Sequence, residues 1–167
     1  MSGVSLARVW EMPHKYTFRM KCVQKLLSEV MQGIWADPFA GMTSPAQIRN
    51  DTDETTPAEF HLDGLEFLSG LAEASVDGVL FDPPYSVEQA LRKYKPKYKG
   101  TAGRAEYWAR CKDEISRITK TGGRVVCFGW DSCGMGKSRG FKLESVLLIC
   151  HGACHNDTIV TVETKEG

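Results

Sequence analysis

No apolar run in the sequence approaches the roughly 18 residues that span a bilayer. The first segment, interrupted by Arg8 and Glu11, lacks the apolar core of a secretory leader. These absences predict a cytoplasmic protein without a membrane partner. Net charge is missing as well, because 21 Lys and Arg balance 21 Asp and Glu across 167 residues. No internal repeat or low-complexity tract is visible, and 42% apolar with 25% charged residues excludes both a disordered and a collagen-like chain. The length accommodates one compact domain, residues 1 to 167, and leaves no room for a second.

Zero net charge would exclude a polyanion-binding protein only if the charges were evenly mixed. They are segregated. Residues 50 to 91 carry ten acids and no Lys or Arg, whereas residues 92 to 142 carry fourteen basic residues against four acids. One stretch is suited to a cationic ligand and the other to a polyanion.

Six cysteines, at positions 22, 111, 127, 133, 150 and 154, invite a disulfide or zinc reading. A reducing compartment disfavours disulfides. Cys127 and Cys150 sit in apolar strand-like runs, where a free Cys is usually a small core residue. The cluster Cys150, His151, Cys154 and His155 has zinc-like spacing, but a tight hairpin would send successive side chains to opposite faces, so no metal is expected.

Periodicity predicts an amphipathic helix over residues 18 to 31, with Val23, Leu26, Leu27, Val30 and Met31 on one face, Thr17 as its cap and Gly33 at its end. Strand-like pieces follow at 33 to 39, 59 to 63, 76 to 82 and 124 to 130. Helical stretches are expected at 65 to 74 and at 104 to 119. The second of these aligns Trp108, Cys111, Ile115 and Ile118 and stops at Gly122-Gly123. Ser44-Pro45 opens at most one helical turn. Residues 143 to 150 and 157 to 163 read as an antiparallel hairpin closing the sheet. The alternation gives an α/β class, with a mostly parallel sheet and helices on both faces.

In such sheets ligands bind beyond the carboxyl ends of the strands. Asp37-Pro38-Phe39-Ala40-Gly41 is a turn in which Gly41 permits close backbone approach and Asp37 can meet a cationic group. At Asn50-Asp51 a carboxylate can accept both hydroxyls of a ribose, and Asp63 can accept an exocyclic amino group. Taken singly each is an ordinary cap or turn residue; together they match the polar requirements of an adenosine ligand.

The sharpest feature is Asp82-Pro83-Pro84-Tyr85, directly after Val79-Leu80-Phe81. Two prolines fix φ twice and remove two N–H donors, leaving a rigid turn with outward carbonyls. Such a turn offers a planar amino group two acceptors, the Asp82 carboxylate and the Pro83 carbonyl, and gives a nucleobase the face of Tyr85.

The sequence resembles the amino-group methyltransferases that use S-adenosylmethionine, specifically the DNA adenine-N6 and cytosine-N4 enzymes. Residues 37 to 41 look like their cofactor turn, and residues 82 to 85 like their catalytic motif. Residues 14 to 21 look like the segment that meets the methionine end of the cofactor. The resemblance implies a single-domain Rossmann-like methyltransferase fold with S-adenosyl-L-methionine as cofactor. It assigns Asp82, Pro83, Pro84 and Tyr85 to catalysis, and Thr17, Phe18, Asp37, Phe39, Gly41, Asn50, Asp51, Asp63 and Gly64 to the cofactor. Asp at the first motif position is more typical of the adenine enzymes. Two departures stand out: Thr43 occupies the place of a second glycine in the cofactor turn, and there is no recognition domain.

In place of that domain is a basic loop, residues 86 to 104, carrying Arg92, Lys93, Tyr94, Lys95, Lys97, Tyr98, Lys99 and Arg104. Six cations interleaved with two tyrosines suit phosphate contact plus base stacking. The expected partner is DNA, double-stranded, with RNA as the alternative and a homodimer or partner subunit supplying what a short loop cannot read. A silent nucleic-acid-binding subunit of the same fold is the non-enzymatic alternative. Trp130 and Asp131 line either a target pocket or the DNA face, unless Trp130 is a core residue at a strand end, and Lys137 and Arg139 can add phosphate contacts. Gly134-Met135-Gly136 is too weak a pattern for a phosphate loop.

Overall fold

A computed structural model describes residues 3–84 and 105–167. Its elements run β1 (Ser5–Trp10), a 3-10 turn (Thr17–Arg19), α1 (Lys21–Val30), β2 (Trp35–Asp37), β3 (Ile48–Arg49), α2 (Gly64–Gly70), β4 (Val76–Phe81), α3 (Ala105–Ile118), β5 (Thr119–Gly129), a 3-10 turn (Lys137–Arg139), β6 (Phe141–Cys150) and β7 (Thr158–Lys165). The strands form one sheet in the order β1-β6-β7-β5-β4-β2-β3. Neighbours are parallel except where β7 pairs with β5 and β6. The expected α/β class, mostly parallel sheet and C-terminal antiparallel hairpin are all present.

The hairpin does not close the sheet, however. β7 is inserted between β5 and β6, and the edge beyond β6 is taken by β1. β1 has no counterpart in the expected pattern because five of its six residues are exposed, so it carries no apolar alternation to read.

Period-two alternation in the central strands sorts the core into two layers. Val79, Phe81, Val125 and Cys127 face Phe67, Leu68, Tyr107, Cys111, Ile115 and Ile118 of α2 and α3. The intervening Leu80, Val126 and Phe128 face Phe18, Val23 and Leu27 beneath α1. Burying the central positions completely makes a truncation there costly, about 2–5 kcal/mol for Leu80→Ala.

Several local expectations are corrected. Thr17 does not cap α1; it opens the 3-10 turn, and Met20 is the N-cap, without a side-chain bond. The helix start is held instead by Glu11, whose carboxylate accepts from Lys21 N at 2.7 Å and Cys22 N at 2.9 Å. A carboxylate there also opposes the positive end of the helix dipole. Residues 59 to 63 form no strand, and Phe60 makes only a bridge with Asn50. Gly122-Gly123 lies inside β5, where pairing with β4 jumps from Val76–Thr119 to Gly78–Arg124, a bulge rather than a helix stop. The buried stripe of α3 uses Tyr107 with Cys111, Ile115 and Ile118, leaving Trp108 beside it. No helix among the described residues is long and apolar enough to cross a membrane.

From β2 the chain moves outward to β3, and from β4 it moves the other way to β5. The carboxyl ends of β2 and β4 therefore flank the point where the winding reverses, the usual position for a ligand crevice. The rings of Phe39 and Phe81, just past β2 and at the end of β4, stand 6.0 Å apart.

Candidate active site

The turn after β2 is made by side chains that serve the backbone. Asp37 is fully buried. Its carboxylate accepts from Phe39 N at 2.9 Å and from the Ser44 hydroxyl at 2.6 Å. Asn50, also fully buried, donates to the carbonyls of Pro38 and Leu62 and accepts from Leu62 N. Asp51, at the next position, accepts from Gly41 N at 2.8 Å and from Asp53 N at 2.9 Å. Gly41 itself sits at φ +55°, a conformation a side chain disfavours. Two strand ends are thus tied into one rigid cradle.

Over this cradle lies a cavity of about 410 Å³. The expected residues Thr17, Phe18, Phe39, Gly41 and Asp51 line it, together with Asp82. Also on its wall are Lys15 and Tyr16, from the expected segment 14 to 21, and Asp53, Thr55 and Thr56, which were not anticipated. The Asp53 carboxylate accepts from both the N–H and the hydroxyl of Thr55. The Asp-x-Thr spacing that produces this local turn is the signal that pointed there. Thr43, which departs from the expected glycine, lies on the wall with Met42.

Asp37, Asn50, Asp63 and Gly64 are not among the lining residues. Asp63 caps α2, accepting from Leu65 N at 2.9 Å, and takes the Tyr107 hydroxyl at 2.8 Å. Burial, with the Asp63 charge beside it, pushes the Tyr107 phenol well above its usual range. Gly64 begins α2 against the ring of Phe39, and a Cβ there would stand 2.6 Å from it.

A second cavity, about 210 Å³, opens on the other side of the turn after β4. Phe81, Pro83 and Pro84 form one wall, and Trp108, Lys112, Phe128, Trp130 and Asp131 are among the others. Trp130 and Asp131 therefore belong to a pocket rather than to the core, with Trp130 46% exposed. Asp131 accepts from Cys133 N at 2.9 Å; that bond, with a smaller contribution from the Lys112 charge, holds its carboxyl below the usual range. Lys112 donates to the Gly134 carbonyl at 2.6 Å. The loop carrying that carbonyl is fixed from beneath by Glu163 of β7, a buried carboxylate that accepts from Met135 N at 2.5 Å and Gly136 N at 3.0 Å. Gly134, at φ +49°, leaves the space that the Glu163 carboxylate fills. Trp108 and Lys112 lie one helical turn apart on α3, a spacing visible in sequence but masked there by assigning Trp108 to the core.

The stretch from Phe81 to Pro84 thus separates two cavities, with Asp82 facing the larger and the prolines facing the smaller. Tyr85 and the basic residues Arg92, Lys93, Tyr94, Lys95, Lys97, Tyr98, Lys99 and Arg104 lie outside the described residues. Arg139 is paired with Asp113 at 2.7 Å, while Lys137 is exposed.

Among the described residues no group of three or more His, Cys, Asp or Glu gathers to hold a metal. His151 is spent on structure, its Nδ1 at 2.6 Å from the Glu11 carbonyl and its Nε2 at 2.9 Å from the Thr158 hydroxyl. Cys150 accepts from Arg8 Nε, and Cys154 is exposed. Burial pushes the thiols of Cys111 and Cys127 up to about 12, so neither is a nucleophile at neutral pH.

No known family profile matches the chain, and no curated protein matches it in sequence. Its fold, however, is shared with solved structures. The 1,6-didemethyltoxoflavin-N1-methyltransferase of Burkholderia thailandensis, solved with 1,6-didemethyltoxoflavin and S-adenosylhomocysteine, superposes with a TM-score of 0.61 at 12% identity, over 86% of this chain and 76% of that one. TrmN of Thermus thermophilus gives 0.56 at 17% identity, over 89% and 51% of the two chains. The PH0226 protein of Pyrococcus horikoshii OT3 gives 0.52 at 12% identity, over 86% and 88%. The chain shares the Rossmann-like fold of these structures.

Proposed function

We propose that the protein is an S-adenosyl-L-methionine-dependent methyltransferase that modifies the exocyclic N6 amino group of adenine in double-stranded DNA after flipping the base out of the helix. The observation that carries this reading is the Phe81–Pro84 partition, which has a cavity of about 410 Å³ lined by Asp51, Asp53 and Phe39 on one side and an aromatic pocket on the other.

The lining of the larger cavity fits the cofactor. Asp51 and Asp53 are acceptors for ribose hydroxyls, Phe39 supplies an apolar surface for a ring, and Lys15 brings a cation for a carboxylate tail. When bound, S-adenosylmethionine supplies an electrophilic methyl group on a sulfonium. The methyltransferase from Burkholderia, crystallised with S-adenosylhomocysteine on the same fold, agrees with that choice.

An aromatic amino nitrogen is a poor nucleophile because its lone pair is delocalised into the ring. With the base in the smaller cavity and its amino group reaching past Pro83 to the edge of the larger one, Asp82 and the Pro83 carbonyl each accept one N–H and leave the lone pair directed at the cofactor. Positioning of this kind is worth about 100-fold for an ångström of displacement. As the nitrogen takes the methyl group it sheds a proton, which the Asp82 carboxylate receives and passes to water. Trp130 and Tyr85 hold the flipped base by stacking, offsetting the few kcal/mol of unstacking. The basic loop meets the phosphates, and its shortness implies a short target or a partner subunit.

The test is tritium transfer from labelled cofactor to DNA and to RNA, with digestion and mass spectrometry of the modified nucleoside, followed by sequencing of methylated DNA from expressing cells. N6-methyladenine in DNA is expected, and Asp82→Ala should lose at least about 100-fold in rate while still binding S-adenosylhomocysteine. N4-methylcytosine or label in RNA alone would replace the adenine reading. No binding of S-adenosylhomocysteine at millimolar concentration would identify a silent subunit.

A further inference from the structure

The smaller cavity holds a cation that the methyl-transfer mechanism does not use. Lys112 projects from α3 one turn after Trp108, and both line the pocket. Among the described residues its ammonium gives one hydrogen bond, to the Gly134 carbonyl. An ammonium has three N–H donors and no acceptor, so among those residues two donors remain for a ligand. The accepting carbonyl is immobilised in turn, since Met135 N and Gly136 N beside it are bound by buried Glu163. A long flexible side chain is thereby held at a fixed place in a pocket whose other walls are largely rings and prolines.

Such a cation is a poor wall for the amino edge of a base, which presents donors, and Asp82 with the Pro83 carbonyl already serves that edge. It suits an atom with an in-plane lone pair. Resting on the reading of the pocket as the seat of a flipped adenine, we propose that Lys112 is a specificity-determining residue that donates a hydrogen bond to an unprotonated ring nitrogen of the target base. The three candidate atoms are N1, N3 and N7, and replacing each in turn by C–H separates them.

The experiment uses the full chain and duplexes of the target sequence in which the reacting adenine is replaced by its 1-deaza, 3-deaza or 7-deaza analogue. kcat/KM is measured for the wild type and for Lys112→Met, with Lys112→Arg as a variant that keeps a donor. Thermal melting and calorimetric titration with S-adenosylhomocysteine check that fold and cofactor site are intact. We expect one analogue to be at least about 10-fold slower with the wild type, the lower end for a hydrogen bond to a charged group. Lys112→Met should lose the same factor on adenine and lose nothing further on that analogue, while Lys112→Arg recovers part of it. Penalties that multiply between variant and analogue would overturn the proposal, as would a Lys112→Met enzyme at full rate. A wild type that binds S-adenosylhomocysteine but leaves every adenine duplex unmethylated is a different outcome, since it removes the adenine reading on which the proposal rests.

Discussion

Around the larger cavity polar side chains tie the turn after β2 together, whereas the smaller one is walled largely by rings and prolines, with Lys112 and Asp131 each bound to one backbone group of the 133–134 loop. Asp37, Asn50 and Asp51 direct their hydrogen bonds to the turn at residues 38 to 41 and its surroundings. Trp108 and Lys112 stand on α3, Trp130 and Asp131 follow the end of β5, and all four line the pocket. The first region is preorganised by polar groups that cannot be removed without loosening the turn. The second is preorganised by packing, so its lining can be changed with the fold intact.

The largest expected break of this contrast is Asp37→Ala. It strands the Phe39 N–H and the Ser44 hydroxyl in a fully buried place. Two unsatisfied groups cost roughly 2–6 kcal/mol, so melting temperature and S-adenosylhomocysteine affinity should fall together. A variant that melts with the wild type would show that the turn does not depend on its carboxylate. Asp51→Ala removes the acceptor of Gly41 N and Asp53 N, and about 1–3 kcal/mol of stability should go with at least tenfold in cofactor affinity. Trp130→Ala sharpens the other side. Stacking worth about 1–3 kcal/mol per base should appear as a raised KM for DNA, with melting and cofactor affinity unchanged. An altered affinity for S-adenosylhomocysteine would mean that the two cavities are not independently built.

How far the contrast could be read in advance differs between the two regions. Asp82-Pro83-Pro84 and Asp37 to Gly41 were legible because they are contiguous and end buried strands. β4 and α3 were legible from their apolar spacing. Asp53 and Thr55 were missed because they lie in a loop without periodicity. Lys112 and Glu163 were missed for another reason: each matters through a partner more than twenty residues away. Glu11 and His151 likewise join β1, α1 and the β6–β7 connection through contacts that no local pattern encodes.

The smallest effect concerns acid. Glu59, bound to Arg49 at the edge strand, has its carboxyl held down to about 2 from 4.5 by that guanidinium. Its folded value is depressed, so the stability it contributes is complete above 4.5 and fades as pH falls toward about 2. Both side chains are partly exposed, which limits the pair to under about 1 kcal/mol. The melting difference between wild type and Glu59→Gln should be constant at neutral pH and vanish on acidification. A difference that stays unchanged down to about pH 2 would mean that Glu59 does not stabilise the fold through its charge.

The insertion of β7 between β5 and β6 also sets an order of events during synthesis. The cradle uses residues from 37 to 62, which emerge from the ribosome early, at some 5–20 residues per second. The loop that fixes Lys112 waits for Glu163, and β6 cannot take its final place until residues 158 to 165 arrive to lie beside it. A growing chain therefore completes the cradle after β2 well before the loop that holds Lys112, whose place waits until β7 has been made.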